Sequence, residues 1–381
     1  MAVPRVADVV IVGAGPVGLF LGVLLLQRGR SVRILERRTT PSHRSRAIGI
    51  HPPALKELQR SGLAAGLVAQ GIQIRKGVAY SRGSKVAELP FAGDPDFPYI
   101  LAVPQPVTEQ VLTDAVTALD PAAIVRGADV HTMIDDGGSV RVEARSPAGD
   151  VEFRSSLAVA ADGAHSTFRH RLMPELRPRK YPDYYLMGDF EDTTGHGCDA
   201  VLYLEPEGIV ESFPLPGRVR RWVVRLGAPA TRPTADGLAG LVASRTGATP
   251  DPATNSMLSA FGVQARLAPS MVHGRVVLLG DAAHEISPIG GQGMNLGWLD
   301  AAALAPIVDA SLAGCDVGRQ LRSFERTRKR AAVKASHQAG LNMALGRPMA
   351  PFALAARNGI FADALRLGPV ADLVERRFTM R

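Results

Sequence analysis

Three closely spaced glycines near the amino terminus have the spacing of a phosphate-binding turn. They follow one short apolar run and open a longer one, as expected for a strand, a turn and a helix. In this pattern the first glycine permits a tight turn, the second lets the backbone approach a pyrophosphate, and the third allows close packing of helix against strand. The amino end of the helix would attract phosphate with about half a positive charge. The predicted phosphate site consists of Gly13, Ala14, Gly15, Pro16, Val17 and Gly18.

An acidic residue follows where such a turn needs one. Strands are predicted over Asp8–Val12 and Ser31–Leu35, with a helix over Val17–Gln27 between them. The second strand ends at Glu36, and Arg37 follows it. A carboxylate at this position accepts hydrogen bonds from ribose hydroxyls and disfavours a 2′-phosphate. The unit therefore predicts a bound dinucleotide and by itself leaves NAD and FAD both open.

Two later segments supply further polar groups for such a ligand. Asp162 and Gly163 follow a buried-strand pattern, although a bare Asp-Gly is usually only a turn. Gly280 and Asp281 follow another predicted strand, and the Asp281 carboxylate is placed to accept hydrogen bonds from a polyhydroxyl chain. Glycines beyond Asp281 leave backbone N–H groups free to approach a flat ring and stabilise negative charge on its edge. These glycines are Gly290, Gly291 and Gly293.

The order of the elements predicts a doubly wound α/β fold with an insertion. Helices are predicted over Pro52–Ser61 and Val107–Leu119, and short strand-like runs over 124–160. Between about 181 and 272, Pro, Gly and aromatic residues punctuate short runs, which is typical of an antiparallel sheet. A cofactor held by one domain would face a cavity roofed by the other. We predict a Rossmann-like nucleotide-binding domain of residues 1–175 plus 273–330, a β-rich substrate domain of residues 176–272 and a C-terminal helical segment of residues 331–381.

Composition and charge exclude several function classes. The 381 residues are 46% hydrophobic and 21% charged, which is ordinary for a soluble globular protein. Lys and Arg number 44 against 36 Asp and Glu, but the basic residues are scattered, so no nucleic-acid partner is predicted. Cys198 and Cys315 lack metal-ligand spacing, and no apolar run reaches about 20 residues, so neither a metal site nor a membrane span is predicted. We expect a cytoplasmic protein, and its oligomeric state is left open.

Together, the three motifs resemble those of the group A flavoprotein monooxygenases, the para-hydroxybenzoate hydroxylase family. That family has GxGxxG, a DG motif (here DGAHSTFR) and a GD motif (here GDAAHEISPIGGQGMN), in this order. The segments SRAIGIHPPALKELQRSGL at 45–63 and LRSFERTRKR at 321–330 are also similar. The resemblance spans about residues 8–330 and is weakest over 175–270. It implies FAD, bound tightly but non-covalently, in a GR2-type domain with an inserted β-sheet substrate domain and C-terminal helices.

The resemblance also implies roles for individual residues. The glycine turn and Glu36 would hold the ADP half of FAD. Carried over by motif, the other residues are Arg46 and Gln105 near the pyrophosphate and ribityl chain, Val130 near the adenine, Asp162 near the flavin and a transient nicotinamide, Asp281 at the ribityl chain or pyrophosphate, Gly293, Met294 and Asn295 at the pyrimidine edge of the ring, and Pro288 on its substrate face.

Four further side chains are candidates for substrate contact beside Pro288. Phe213, Trp222 and Tyr203 lie on the predicted inserted sheet, where each either faces the substrate or packs in the core. His51 follows the segment of Arg46 and is a candidate for the edge of the flavin. No side-chain nucleophile is expected, because in such enzymes the flavin carries the chemistry.

For activity, the resemblance implies an NAD(P)H-using monooxygenase. NAD(P)H would bind transiently and reduce FAD, and the reduced flavin would capture O2 as a C4a-hydroperoxide. Its distal oxygen would pass to an aromatic or polycyclic small molecule, for example in secondary metabolism. Epoxidation and Baeyer–Villiger insertion use the same flavin chemistry and stay open. So do a flavin-dependent reductase or dehydrogenase and a non-catalytic flavin-binding partner protein.

Overall fold

The first sheet is mostly parallel and draws strands from distant parts of the chain. The computed structural model describes residues 5–41 and 47–381. The eight described strands of this sheet are β1 (Arg5–Val12), β2 (Val32–Glu36), β8 (Ile124–Arg126), β9 (Asp129–Asp135), β10 (Val140–Ser146), β11 (Gly149–Ala160), β17 (Val272–His273) and β18 (Val276–Leu278). The order is β17-β18-β11-β1-β2-β8, and β10 and β9 continue from β11 as an antiparallel meander. The strands from β18 to β8 run parallel, which is the arrangement of a doubly wound sheet.

The second sheet is largely antiparallel. Its eight described strands are β5 (Lys76–Ser81), β6 (Ser84–Pro90), β12 (Arg179–Glu191), β13 (Ala200–Tyr203), β14 (Val210–Leu215), β15 (Val219–Leu226), β16 (Met257–Leu267) and β19 (His284–Glu285). They are ordered β19-β16-β12-β15-β14-β13-β5-β6. A third, small sheet joins β3 (Gly49–Ile50), β7 (Ile100–Ala102) and β4 (Ile72–Ile74).

Helices pack against both large sheets. The described α-helices are α1 (Pro16–Leu26), α2 (Pro52–Arg60), α3 (Ala64–Val68), α4 (Gln105–Leu119), α5 (Thr167–Leu172), α6 (Ala235–Thr246), α7 (Gln292–Leu312), α8 (Gly318–Leu345), α9 (Pro351–Leu365) and α10 (Gly368–Phe378). Among residues 5–41 and 47–381, no helix combines the length and the apolarity that a bilayer crossing requires.

Burial explains why β1 and α1 occupy the centre. Val9, Val10 and Ile11 of β1 are fully buried, as expected for β-branched residues in a parallel strand that is covered on both faces. Helix α1 is apolar on all sides, and it packs against α4, α7 and the sheet. A helix of this kind is stable only inside a protein. The amino end of α1 is thereby held in a fixed position next to the carboxyl end of β1.

The observed elements agree with most sequence predictions, and two features differ. The predicted strand, helix and strand around the glycine turn are present within three residues of the expected bounds. Helix α6 interrupts the region in which only strands were predicted. Its signals were in the sequence, since Thr234 caps its amino end and Gly247 adopts a left-handed conformation at its carboxyl end. In addition, the β5–β6 hairpin belongs to the second sheet, although the sequence division placed these residues in the nucleotide-binding domain.

Candidate functional site

A cavity of about 910 Å³ is lined by residues from both large sheets. It extends from the glycine turn at the amino end of α1 to the face of the second sheet that carries Leu202 and Val223. Helices α9 and α10 contribute Phe361 and Phe378 to the lining. This volume lies at the upper end of the range for small-molecule and cofactor sites. A ligand in this space would therefore contact both sheets and the C-terminal helices.

The three glycines of the turn serve different purposes. A Cβ atom on Gly13 would lie 2.4 Å from the carbonyl oxygen of Ala161, and one on Gly18 would lie 2.1 Å from the carbonyl oxygen of Gly13. These two glycines are therefore required for strand and helix packing. A Cβ atom on Gly15 would meet no protein atom within 4 Å. Gly15 borders open space at the amino end of α1, where an anion is favoured.

Glu36 is ionised and fixed at the edge of the cavity. Its carboxylate accepts hydrogen bonds from the backbone N–H of Ala14 (2.9 Å) and from the backbone N–H and Nε of Arg38 (both 2.9 Å). Burial opposes ionisation, but the hydrogen bonds from Arg38 and Ala14 outweigh it and lower the pKa of Glu36. The carboxylate is thus a rigid acceptor beside the turn.

Asp162 offers an unused acceptor to the cavity. Its Oδ2 accepts the backbone N–H of Thr167 at 2.9 Å. Its Oδ1 is buried and has no hydrogen-bond partner among the described residues. Burial raises the pKa of Asp162. Since a buried polar atom without a partner is costly, this oxygen is suited to a ligand that donates a hydrogen bond.

The glycine-rich segment before α7 places a second carboxyl group and several amides at the cavity. Gly290 and Gly291 adopt φ values of +96° and +66°, which favour glycine. Gly293 lies in the first turn of α7, where backbone N–H groups have no partner within the helix. Asp281 also lines the cavity, and burial raises its pKa.

A buried ion network supports this segment from behind. His284 Nε2 lies 2.5 Å from Asp300 Oδ2, and Arg328 Nε lies 2.5 Å from Asp300 Oδ1. Burial opposes ionisation of Asp300, but His284 and Arg328 outweigh it and lower the pKa of Asp300. The network joins the strand end after Asp281 to helices α7 and α8. It lies behind the cavity lining and fixes the backbone that forms it.

The cavity brings together most residues that the sequence singled out. Those that line it are Gly13, Gly15, Pro16, Val17, Glu36, Arg37, Gln105, Val130, Asp162, Gly163, Asp281, Pro288, Gly291, Gly293 and Met294, together with Phe213 and His51. Six others do not line it, namely Ala14, Gly18, Gly280, Asn295, Tyr203 and Trp222. Arg46 lies outside the described residues.

Asn295 is a positioning residue in this structure. Its side chain is fully buried, and its Nδ2 donates to the carbonyl oxygens of Gly49 (2.9 Å) and Gly291 (2.8 Å). Its Oδ1 accepts the backbone N–H of His51 at 2.9 Å. The amide thus ties β3 to the start of α7. Both N–H groups of its Nδ2 are used in these bonds, so neither is available to donate to a flavin edge.

The three aromatic candidates on the second sheet separate into two faces. Trp222 and Tyr203 pack with Leu238 and Val242 of α6 on the side away from the cavity. Their predicted contact with substrate is not supported by this placement. Phe213 alone faces the cavity. The alternation of side chains along a strand defines two faces but does not show which face a helix covers. Because α6 was not predicted, the covered face of this sheet could not be assigned.

His51 is buried at the cavity wall and neutral. Its Nδ1 has no hydrogen-bond partner among the described residues, and the side chain is 3% exposed. Burial lowers the pKa of His51 to about 4, despite backbone carbonyl contacts near Gly290 and Phe378. A neutral imidazole with an unused nitrogen is suited to a hydrogen bond with a ligand.

Sequence reasoning missed Glu211, which also lines the cavity. On β14, Val210 and Ser212 are buried in the core, so Glu211 and Phe213 face the other way. Burial raises the pKa of Glu211 to about 7. The sequence carried no clear signal for it, because strand alternation does not show that both faces of this sheet are covered.

The raised pKa of Glu211 predicts a pH-dependent stability. The folded protein keeps the proton of the Glu211 carboxyl group to higher pH than the unfolded chain does, because the ordinary pKa of this group is 4.5. The free energy of unfolding should therefore fall as pH rises from about 4.5 to about 7, by at most about 3 kcal/mol. Glu211→Gln should remove this slope and stabilise the protein above pH 7. Urea unfolding of both proteins across this range measures it, and equal slopes would contradict the prediction.

The geometry agrees with comparisons to known proteins. Residues 6–339 match the family described as FAD binding domain. The chain belongs to this family. The chain is 32% identical over 340 residues to the 12-dehydrotetracycline 5-monooxygenase/anhydrotetracycline 6-monooxygenase of Streptomyces rimosus, and the match covers 84% of this chain and 66% of the relative. It is 32% identical over 301 residues to a rifampicin monooxygenase of Streptomyces venezuelae, and the match covers 77% of this chain and 62% of the relative. The chain thus spans under two thirds of the length of these relatives.

Solved structures carry the same fold. The p-nitrophenol 4-monooxygenase PnpA of Pseudomonas putida has a TM-score of 0.88 and 25% identity, and the match covers 99% of both chains. The anhydrotetracycline hydroxylase OxyS of Streptomyces rimosus has a TM-score of 0.81 and 28% identity, and the match covers 99% of this chain and 76% of OxyS. The predicted family resemblance and the predicted α/β fold with an FAD binding domain are confirmed.

Proposed function

We propose that this chain is an FAD-dependent monooxygenase that hydroxylates an aromatic or polycyclic small molecule, with NAD(P)H and O2 as co-substrates. One observation carries the proposal: the cavity is continuous from the phosphate-binding turn to the apolar face of the second sheet. A dinucleotide at one end and an apolar substrate at the other would therefore share one enclosure. The tetracycline, rifampicin and p-nitrophenol monooxygenases among the relatives support the same reading.

The residues present fit FAD. Gly15 borders open space at the amino end of α1, Asp162 presents an unpartnered acceptor, and the cavity volume suits a dinucleotide ligand. Glu36 would accept hydrogen bonds from the ribose, and Asp281 from the ribityl chain. The backbone N–H groups near Gly293 would face the flavin ring. When bound, FAD would supply the activation of dioxygen.

The chain's own residues would orient the substrate and exclude water. The substrate end is lined by Met187, Leu202, Phe213, Val223 and Phe261, all from the second sheet. Such a wall favours an aromatic ligand by burial and dispersion. It also keeps bulk water from the reacting atoms.

An oxygen-labelling experiment tests the proposal. The purified, FAD-loaded protein is incubated with NADH or NADPH and a panel of phenols and polycyclic aromatics under ¹⁸O2. We expect an aromatic compound to accelerate NAD(P)H oxidation and to acquire one labelled oxygen atom. A saturated product formed without O2 would instead indicate a reductase. Stable FAD binding without accelerated NAD(P)H oxidation or product would indicate a non-catalytic binding protein.

Removal of the Asp281 carboxylate is expected to weaken FAD binding without harming the fold. Asp281→Ala removes one acceptor for the cofactor, which is worth about 1.5 kcal/mol or about tenfold in Kd. Burial raises the pKa of Asp281, so the apoprotein should not lose stability when this group is removed. Asp150→Asn, on an exposed side chain, is the control. FAD titration and thermal unfolding of the apoproteins measure both effects, and unchanged FAD affinity would contradict the prediction.

A further inference from the structure

Glu211 lies within an otherwise aliphatic row of the cavity wall. Its direct cross-strand neighbours are Leu202 on β13 and Val223 on β15. The row continues through Ala79 on β5 and Met187 on β12. All five residues line the cavity. The carboxyl group is therefore placed by the register of the sheet at the substrate end.

The cationic groups near Glu211 are engaged elsewhere. Arg221 makes a bidentate ion pair with Asp189, with both distances 2.7 Å. Arg225 pairs with Asp183 at 3.2 Å, and Asp183 also pairs with Arg347.

Groups on the other facing elements do not neutralise Glu211 either. Arg357 of α9 donates to Asn358 and to the carbonyl oxygen of Leu345. Tyr185 of β12 has a buried hydroxyl without a described partner, and burial together with the Glu211 charge raises its pKa. Burial is the cause of the shift in the pKa of Glu211, and no cation offsets it.

An ionisable side chain in such surroundings destabilises the empty protein. Buried carboxyl groups in structural roles are normally paired or hydrogen-bonded. Glu211 has no described hydrogen bond or ion pair, and it faces the space where a substrate would lie. Groups perturbed by burial in a cleft are typical of functional sites. The carboxyl group is therefore suited to a ligand that presents a polar hydrogen.

Resting on the proposed function, we propose that Glu211 binds the ionisable hydroxyl group of an aromatic substrate and accepts its proton. The substrate O–H bond breaks, a new O–H bond forms on a Glu211 carboxylate oxygen, and the electron pair stays on the substrate oxygen. The aromatic ring of the phenolate is more electron-rich than that of the phenol, which favours its attack on an electrophilic oxygen. The site therefore selects phenolic over etherified or unsubstituted aromatics.

Equilibrium binding tests this assignment without turnover. β-Naphthol and its methyl ether are titrated into FAD-loaded protein in the absence of NAD(P)H. Wild type should bind the naphthol at least about tenfold more tightly than the ether, and this preference should grow between about pH 6 and about pH 8 as Glu211 ionises. Glu211→Gln should reduce the preference to about twofold or less and make it independent of pH. Glu211→Asp should restore part of it.

The outcomes separate this assignment from the proposed function. Glu207→Gln, on the exposed loop before β14, is the matched control and should behave as wild type. A naphthol preference that is absent in wild type, or that survives in Glu211→Gln, would overturn the assignment of Glu211. A Glu211-dependent preference in a protein that incorporates no labelled oxygen would retain the binding role and overturn only the monooxygenase proposal.

Discussion

Gly15→Ala is expected to cost about a hundredfold in FAD affinity while leaving the apoprotein folded. The new Cβ atom meets no protein atom within 4 Å, and the backbone of Gly15 has φ −80° and ψ 176°, which alanine readily adopts. The methyl group would instead enter the space in which we propose that the pyrophosphate binds. Loss of one or two charge-assisted hydrogen bonds at the helix terminus amounts to about 3 kcal/mol.

Two measurements isolate this effect. Fluorescence titration gives the Kd for FAD, and thermal unfolding of the apoprotein reports the fold. Gly240→Ala is the control, since its Cβ atom also meets open space but lies at an exposed position of α6, outside the cavity lining. An unchanged Kd in Gly15→Ala would mean that the cofactor phosphates lie elsewhere. Gly18→Ala, by contrast, is expected to destabilise the apoprotein, because its Cβ atom would lie 2.1 Å from a backbone oxygen.

Asp300→Ala is expected to lower the free energy of unfolding by about 3–5 kcal/mol. It removes the carboxylate between His284 and Arg328 and leaves the largely buried Arg328 guanidinium without its ion-pair partner. The segment that carries Asp281 should loosen with it, so FAD should also bind more weakly.

Urea unfolding of the apoprotein measures the loss. Asp363→Ala is the comparison, because it breaks a pair with Arg366 in which Asp363 is 74% exposed, and it should cost less than about 0.5 kcal/mol. If Asp300→Ala does not fold, Asp300→Asn keeps the shape and one hydrogen bond and should lie between wild type and the alanine variant. Equal losses in Asp300→Asn and Asp363→Ala would show that the charge of Asp300 does not stabilise the fold.

The nucleotide end of the site was predictable because its requirements are local. A tight turn, an open helix terminus and an acid after the next strand are set by residues close in sequence, so Gly15 and Glu36 could be assigned from spacing. Asp162 and Asp281 were assigned through family motifs at strand ends. The structure adds their chemical state, since Asp162 keeps an unpartnered oxygen and Glu36 does not.

The substrate end was not predictable to the same degree. Which face of the inserted sheet meets the cavity depends on α6, which covers Trp222 and Tyr203 from the other side. Strand alternation gives two faces but not their surroundings, so Glu211 could not be distinguished from a solvent-exposed acid. Asn295 illustrates a related limit, since its partners Gly49 and His51 are brought close only by tertiary folding.

The pairing of β5 with β13 bears on how substrate preference can be exchanged between related enzymes. Residues 76–90 form the outer hairpin of the second sheet, and Val78, Ala79 and Leu89 from it line the cavity. A chimera that transplants only residues 176–272 would pair β13 of the donor enzyme with β5 of the recipient. The cavity-lining side chains of these two neighbouring strands would then come from different enzymes. Recombination that moves both segments together would transfer a complete enclosure. On the proposed function, substrate specificity would therefore be encoded in two separate stretches of the gene, which a transfer of specificity would have to move together.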